Sequence, residues 1–338
     1  MTSRERVVKA LRFEGPDRAP RDIWPLRFRS MPERLRQVEE FVRRVPMDFE
    51  APPVKGRVSR RARGVEGVVG TYVDEWGSVW HVCEPGVVGE VKEPVLADRK
   101  ALDGFEPPWE LIETTDLSDV DKWYERSDRF SIFFPAVRPF ERLQFLRGTE
   151  NLFIDLATGA PELERLVKIV HEFFLREIEL WEGRRCDAIE FMDDWGTQES
   201  LLISPRQWRE IFKPLYRDYC EAIHAQGKFA FFHSDGQIEA IYPDLIEVGV
   251  DAINSQLFCM DIEELARLYK GKITFWGEID RQGLLPFCTP EEVREGVRRV
   301  RRALDDGVGG VIAQCQWGVD VTEENVAAVY EAWDEPRP

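Results

Sequence analysis

The stretch "KFAFFHSDGQ", residues 228–237, joins the pattern of a buried strand to a cluster of reactive side chains. Residues 229–232 form a continuous apolar run, which is typical of a parallel strand covered by helices on both sides. The run ends at His233 and Asp235, two residues able to carry protons or bind metals, and Gly236 allows a sharp turn afterwards. The stretch predicts a core strand that emerges into a functional site.

The same organisation recurs along the second half of the chain. Amphipathic segments with helix-start signals separate the apolar runs: Ser204 precedes Pro205, and Thr289 to Glu292 has the spacing of a capping box. Glycines at 227 and 307 provide the usual helix ends. The other predicted strands are residues 130–137, 187–194, 251–256, 272–280 and 310–316.

Polar residues collect at the carboxyl end of each predicted strand. An open sheet concentrates function at one switch point, whereas a closed barrel uses many strand ends around one mouth. We therefore predict an α/β fold, a (β/α)₈ TIM barrel in a single domain over residues 1–338, with an elaborated N-terminal region over residues 50–125. The polar strand ends are Asp193, Asp194, His233, Asp235, Asn254, Gln256, Glu278, Asp280, Gln314 and Gln316.

Composition narrows the classes of function. The 338 residues carry 63 acidic and 46 basic side chains, a net charge of −17, which disfavours nucleic acid and anionic membranes as partners. No apolar run is long enough to span a membrane, and the N-terminus lacks the apolar core of a signal peptide. Six scattered cysteines suit a reduced protein, so we expect a cytoplasmic location.

A metal site is one interpretation of the strand ends. His233 and Asp235 are two residues apart, so their side chains point to the same side of a strand, and Cys315 could approach from the last strand. An imidazole, a carboxylate and a thiolate suit zinc with an open fourth position. The alternative is that His233 acts as an acid/base or positions substrate without a metal.

The carboxylates offer a second kind of chemistry. Asp193, Asp194 and Glu278 would crowd one barrel mouth, where like charges and burial raise some pKa values and make a general acid plausible. The alternative is that some of them cap the helices that follow. Asp280, before "RQGLL", fits that structural role better.

Eleven tryptophans suggest how the mouth binds a substrate. Trp195, Trp276 and Trp317 adjoin the predicted mouth, where indole walls would suit a flat or apolar molecule. Asn254 and Gln314 would supply polar contacts there. Packing in the core is the alternative for each tryptophan.

Several blocks together resemble the uroporphyrinogen decarboxylase superfamily, which includes zinc-dependent, corrinoid-linked methyltransferases. The resemblance implies a TIM barrel, often homodimeric, with the active site at the strand carboxyl ends. It also suggests Asp74, Arg21 and Arg27 as substrate-binding residues. The blocks are "MTSRERVVKALRFEGPDRAP" (1–20), "YVDEWGSVW" (72–80), "CDAIEFMDDWGTQESLLISPRQWREIFKP" (186–214), "FFHSDGQIEAIYPDLIEVGVDAIN" (231–254), "ITFWGEIDRQGLLPFCTPEEVREGV" (273–297) and "GGVIAQCQWGVDVTEENVAAV" (309–329).

The chain departs from both chemistries of that superfamily. Decarboxylases are cofactor-free and carry an R-Q-A-G-R type loop and a late His, whereas this chain reads "APRDIWPLRFRSMP" and has Trp317 at the place of the His. The methyltransferases carry H-x-C and a late Cys; His233 matches, Asp235 replaces the first Cys, and Cys315 lies two residues before the second.

The resemblance is closer to the methyltransferase-like branch. It implies a methyltransferase or demethylase that acts on a small methylated substrate, with zinc and a separate corrinoid protein as partner. The alternative within the superfamily is uroporphyrinogen decarboxylase, a lyase of porphyrin biosynthesis that needs no cofactor. An alternative of another class is a non-catalytic small-molecule binding protein, because a fold alone does not fix a function.

Overall fold

The structure, a computed structural model, describes residues 1–25, 31–85 and 87–337. Eight strands form one sheet in the order β1-β11-β10-β9-β8-β7-β6-β2, and every neighbouring pair is parallel. Each strand observed in the second half coincides with a predicted one. The strands are β1 Arg21–Pro25, β2 Phe49–Glu50, β3 Gly70–Val73, β4 Val79–Val82, β5 Glu90–Glu93, β6 Phe130–Phe133, β7 Ala188–Met192, β8 Phe229–Ser234, β9 Ala252–Ser255, β10 Thr274–Trp276 and β11 Val311–Trp317.

The ends of this sheet meet. The amide of Asp48, just before β2, donates a hydrogen bond to the carbonyl of Arg21 in β1 at 2.9 Å. The carboxylate of Asp48 accepts bonds from the side chains of Arg6 and Arg18 and from the amide of Arg21. The sheet is thereby brought into a (β/α)₈ barrel, and the predicted fold is confirmed.

The helices after Ser204 and Thr289 begin where the capping patterns predict, and α1 has the same kind of cap. Thr2 with Glu5 and Thr289 with Glu292 form complete capping boxes, and the hydroxyl of Ser204 accepts a bond from the amide of Gln207. The helices are α1 Ser3–Leu11, α2 Pro32–Arg44, α3 Glu110–Glu113, α4 Val120–Tyr124, α5 Pro139–Arg147, α6 Thr149–Thr158, α7 Pro161–Glu179, α8 Pro205–Ile211, α9 Lys213–Ala225, α10 Tyr242–Val248, α11 Ile262–Tyr269, α12 Leu284–Phe287, α13 Pro290–Leu304 and α14 Glu323–Asp334.

Two layers of apolar side chains stabilise the barrel. Inside it, rings from strands that are not neighbours touch: Phe49 lies 6.3 Å from Phe231 and from Trp276, and Phe231 lies 4.9 Å from Trp276. These contacts are possible only across the barrel interior. A larger layer, which includes Cys315 and Trp317, packs between the sheet and the helices.

The predicted elaborated region carries its own small sheet, β3-β4-β5, which is antiparallel. Its first turn is organised by Asp74, whose Oδ1 accepts hydrogen bonds from the amides of Trp76, Gly77 and Ser78. Across the described ranges, every helix is too short or too polar to cross a membrane.

Candidate functional site

Three potential metal ligands meet at the carboxyl ends of β7 and β8. The Nε2 atom of His233 lies 3.7 Å from Oδ1 of Asp194 and 3.6 Å from Oδ1 of Asp235. One donor atom from each of the three residues lies within 4.8 Å of the other two. The cluster therefore has the dimensions of a site for one ion.

The close approach of two loops builds this cluster. Gly236 has φ +82°, and a Cβ atom added to it would lie 2.2 Å from the backbone carbonyl carbon of Gly196. Only glycine allows the backbones after β7 and β8 to touch at this point. The amide of Gly196 donates to the carbonyl of Asp235, and this contact holds Asp194 beside Asp235.

The ring of His233 is held in one tautomer. Its Nδ1 atom lies 2.6 Å from Oδ1 of Asn254, and the amide nitrogen of Asn254 donates to the carbonyl of Trp276. Asn254 can therefore only accept at the histidine, so Nδ1 carries the proton. The lone pair of Nε2 then faces Asp194 and Asp235, as it does in a histidine that ligates a metal.

Both carboxylates are also fixed by partners. Oδ1 of Asp194 accepts a bond from the amide of Asp235, and Oδ2 of Asp235 accepts one from Arg281. The remaining Oδ1 of Asp235 is buried and has no hydrogen-bond partner among the described residues. This oxygen lies 3.6 Å from Nε2 of His233, a spacing at which the two atoms can ligate one cation.

Glu278 adds a buried acid beside the cluster. Arg281 lies between the two acids, with Nε 2.8 Å from Oε1 of Glu278 and a terminal nitrogen on Asp235. Burial raises the pKa of Glu278 to about 8, although the charge of Arg281 opposes the shift. Glu278 is therefore largely protonated at neutral pH, as a general acid must be.

More buried acids line the barrel near this mouth. Burial raises the pKa of Glu190 to about 8 and that of Glu141 to about 7. Deeper, burial raises the pKa of Asp22 to about 6, although the indole nitrogens of Trp24 and Trp276 donate to its carboxylate. A concentration of raised acid pKa values is typical of an active site.

An open cleft of about 650 Å³ adjoins the cluster. Arg281 belongs to its wall, so one side chain contacts both the cleft and the carboxylate of Asp235. Gln316 from β11, Phe287 from α12 and Glu84 from the elaborated region line other sides. A small molecule in this cleft would lie next to the cluster.

Comparison with known proteins identifies the family. The sequence model of uroporphyrinogen decarboxylase (URO-D) matches residues 128–336, more than half of the chain. The chain belongs to the URO-D family. The match includes every strand from β6 to β11, and therefore Asp194, His233, Asp235 and Glu278.

Two solved structures are similar to this URO-D family member, and the first of them shows the same fold. One is a methyltransferase from Methanosarcina mazei. The alignment covers 99% of this chain and 98% of the methyltransferase chain, with a TM-score of 0.73 and 14% sequence identity. The other is an endo-β-1,4-xylanase from Gloeophyllum trabeum. The alignment covers 96% of this chain and 99% of the xylanase chain, with a TM-score of 0.43 and 10% sequence identity. Among curated proteins no sequence matches.

The URO-D barrel does not bring Cys315 to the cluster, contrary to the predicted ligand set. Ile312 of β11 packs inside the barrel, so alternation directs Gln314 and Gln316 inward and Cys315 outward. Cys315 is fully buried in the outer layer near Tyr330 of α14, and burial raises the pKa of its thiol. The prediction placed Cys315 on the inward face of β11, whereas its side chain lies on the outward face.

Asp193 also lies apart from the cluster. Its carboxylate accepts bonds from the amides of Phe140 and Glu141 at the start of α5 and from the hydroxyl of Tyr216. It is fully buried and serves the helix start, the alternative role considered for these acids. Asp194, one residue later, points to the mouth.

All three predicted tryptophans are fully buried in the core, Trp195 and Trp317 in the outer layer and Trp276 in the inner one. Trp195 stacks on Phe140 at 4.2 Å and donates to Tyr216, and Trp317 packs against Phe41 in the outer layer. Trp276 does lie inside the barrel, 4.9 Å from Trp24. The indole beside the cluster is Trp24, whose ring lies 5.4 Å from His233.

The N-terminal residues predicted to bind substrate have other partners. Arg21 faces outward and pairs with Asp334 of α14, while Asp74 of the elaborated region pairs with Arg142 of α5 at 3.1 Å. Arg27 lies outside the described residues. Gln314 faces inward and is fully buried, with neither side-chain polar atom hydrogen-bonded within the described ranges.

Sequence reasoning missed Arg281 and the acids Glu190 and Glu141. No local pattern marked Arg281, because residues 278–281 lie in a loop, where a spacing of three does not imply neighbouring side chains. Glu190 interrupts the apolar run of β7, and a charged residue inside a buried strand is itself a functional signal.

Proposed function

We propose that this URO-D family protein is a metal-dependent methyltransferase or demethylase that acts on a small methylated substrate, with a separate corrinoid protein as methyl acceptor. The observation that carries the proposal is the cluster of Asp194, His233 and Asp235, in which each side chain is oriented by a different partner. The fold shared with a methyltransferase is consistent with this activity.

The donor set fits a divalent cation. One imidazole nitrogen and two carboxylate oxygens make a site without thiolate, which suits zinc and also accepts manganese or ferrous iron. His233, Asp194 and Asp235 would hold the ion. A bound ion would supply Lewis acidity to a substrate oxygen.

Glu278 would supply the proton. When the bond between a methyl carbon and a substrate oxygen breaks, the oxygen needs a proton in order to leave as a neutral hydroxyl. Burial raises the pKa of Glu278 to about 8, so its carboxyl group holds a proton at neutral pH. Arg281 keeps this acid near Asp235 by contacting both side chains.

Metal binding tests the proposal first. Purified protein loaded with zinc or manganese should retain a stoichiometric ion, and His233→Ala and Asp235→Asn should weaken binding at least tenfold in calorimetric titrations. His171→Ala, a histidine of α7 that pairs with Asp218, is the matched control. Unchanged metal affinity in both site variants would refute the metal centre.

Methyl transfer is tested with a substitute for the partner. Free cob(I)alamin is mixed with the loaded enzyme and methanol, methylamine or methoxybenzene, and the absorbance of methylcobalamin is followed. Glu278→Gln should slow transfer from the oxygen-linked substrates by about 10²-fold or more, as expected for loss of a general acid. Coproporphyrinogen formation from uroporphyrinogen without any methyl transfer would favour the decarboxylase alternative.

A further inference from the structure

A second cavity, of about 290 Å³, lies between the elaborated region and the outer side of the barrel. The end of β6 forms one wall, helices α5 and α7 form another, and the turn around Trp76 closes it. It shares no lining residue with the cleft beside the metal centre. We call it the insertion cavity.

Aromatic rings dominate the insertion cavity. It is lined by Phe133 at the end of β6, by Phe134 directly after it, by Phe173 and Phe174 from α7, and by Trp76. A cavity of about 150 Å³ is enough to hold benzene. The insertion cavity therefore accommodates one substituted ring, and it is too small for a tetrapyrrole.

Its polar groups are buried and incompletely paired. Glu177 of α7 is fully buried; its Oε1 pairs with Arg57 at 2.5 Å, and its Oε2 has no hydrogen-bond partner within the described part of the chain. Nε of the buried Arg142 is likewise without a partner among the described residues. The cavity thus presents an acceptor and a donor, the pattern that a ligand hydroxyl satisfies.

The backbone that delivers Arg57 is constrained. Arg57 has φ +53°, a left-handed conformation that is unfavourable for a residue with a side chain. A Cβ atom on the preceding Gly56 would lie 1.9 Å from the carbonyl oxygen of Thr114. Strain of this kind is retained where the surrounding structure enforces it, often at ligand sites.

Phe134 connects the insertion cavity to the barrel mouth. Its ring lies 6.3 Å from that of Trp24, which in turn lies 5.4 Å from His233. Phe134 therefore lines the insertion cavity and also contacts the ring that lies beside His233.

We propose that the insertion cavity binds a single aromatic ring that carries a hydroxyl group, a ligand of the phenol class. The ring packs among Trp76 and the four phenylalanines, and the hydroxyl donates to Glu177 while it accepts from Arg142. The site is independent of the proposed methyl transfer, since it requires neither a metal nor a corrinoid.

Phenol and toluene are the probes, because they match in size and differ in the hydroxyl. Calorimetry should show saturable phenol binding near about 1 mM, the range expected for so small a ligand. Toluene should bind about tenfold more weakly, because the polar pair stays unsatisfied. Ala136→Leu, which fills the cavity, should weaken both ligands at least tenfold.

Further variants separate the contribution of the hydroxyl contact to phenol binding from the effects of added side-chain volume and of the metal centre. Glu177→Gln should reduce the preference for phenol over toluene, because a neutral acceptor forms a weaker bond than a carboxylate. Val69→Leu, at an exposed position of the elaborated region, is the control for added volume. His233→Ala should bind phenol as the unaltered protein does, so failure of the metal centre leaves this result intact.

Equal affinity for phenol and toluene, or phenol affinity unchanged by Ala136→Leu in a protein with an unaltered melting temperature, would overturn the proposal. Absence of saturable phenol binding would overturn it as well. If Glu177→Gln does not fold, the comparison of phenol with toluene in Ala136→Leu and Val69→Leu still decides.

Discussion

Asn254 holds the proton of His233 on Nδ1, with 2.6 Å between the nitrogen and the amide oxygen. The two residues are register partners on the neighbouring strands β8 and β9, so the contact follows from strand pairing. It places the lone pair of Nε2 among the carboxylates of the cluster. Asn254 therefore orients the ring of His233 in the candidate metal centre.

Removing that contact should weaken metal binding without removing a ligand. We expect Asn254→Ala to lower the affinity for zinc about 10- to 100-fold, the range known for partners of ligating histidines. Calorimetric titration measures it, and the melting temperature checks that the fold persists. Asn151→Ala, on α6 and bonded to the carbonyl of Arg147, is the matched control.

Two adjacent aspartates should behave differently. Asp193→Asn should lower the free energy of unfolding by about 1–3 kcal/mol, because its new amide group cannot accept from both helix amides, while metal affinity changes little. Asp194→Asn should weaken metal binding, while the free energy of unfolding changes little. Chemical denaturation and metal titration of both variants measure this, and equal loss of metal affinity would contradict the separation.

The outward direction of Cys315 makes a clear prediction. Cys315→Ser should leave metal content and affinity unchanged, because the thiol faces α14, whereas Asp235→Asn should reduce both. Metal analysis after dialysis is the measurement. A cobalt-loaded protein should also lack the intense near-ultraviolet band of a thiolate ligand. Loss of metal in Cys315→Ser would place the thiol in the site after all.

Glu190 should make stability depend on pH. Its carboxyl pKa is raised from 4.5 to about 8 in the folded protein by burial. A raised acid pKa means that folding becomes less favourable as pH rises from the unfolded value through the folded one. Glu190→Gln should therefore increase the free energy of unfolding by on the order of 1 kcal/mol or more at pH 8, with no such gain at pH 4.

Thermal unfolding at pH 4, 6 and 8 measures that dependence. Glu172→Gln, at an exposed position of α7, serves as the matched control for loss of a carboxylate. A stabilisation of Glu190→Gln that is the same at all three pH values would show that packing, not ionisation, is responsible.

Local signals in the sequence determined the elements and the mouth. Continuous apolar runs identified β6 to β11, and the capping patterns at Ser204 and Thr289 identified helix starts, because both depend on interactions within a few residues. Polar residues at strand ends predicted the barrel mouth, with His233 and Asp235 as metal ligands and Asp194 as a catalytic acid rather than as a third ligand.

The tertiary structure decided which side chains face that mouth. Cys315 and Gln314 are neighbours in one strand, and closure of the barrel alone fixes which of them points inward. The sequence likewise says nothing of the contact between Gly196 and Gly236, or of Arg281 between two acids. Such contacts join residues distant in the chain, and their geometry depends on the packing of whole strands rather than on local propensity.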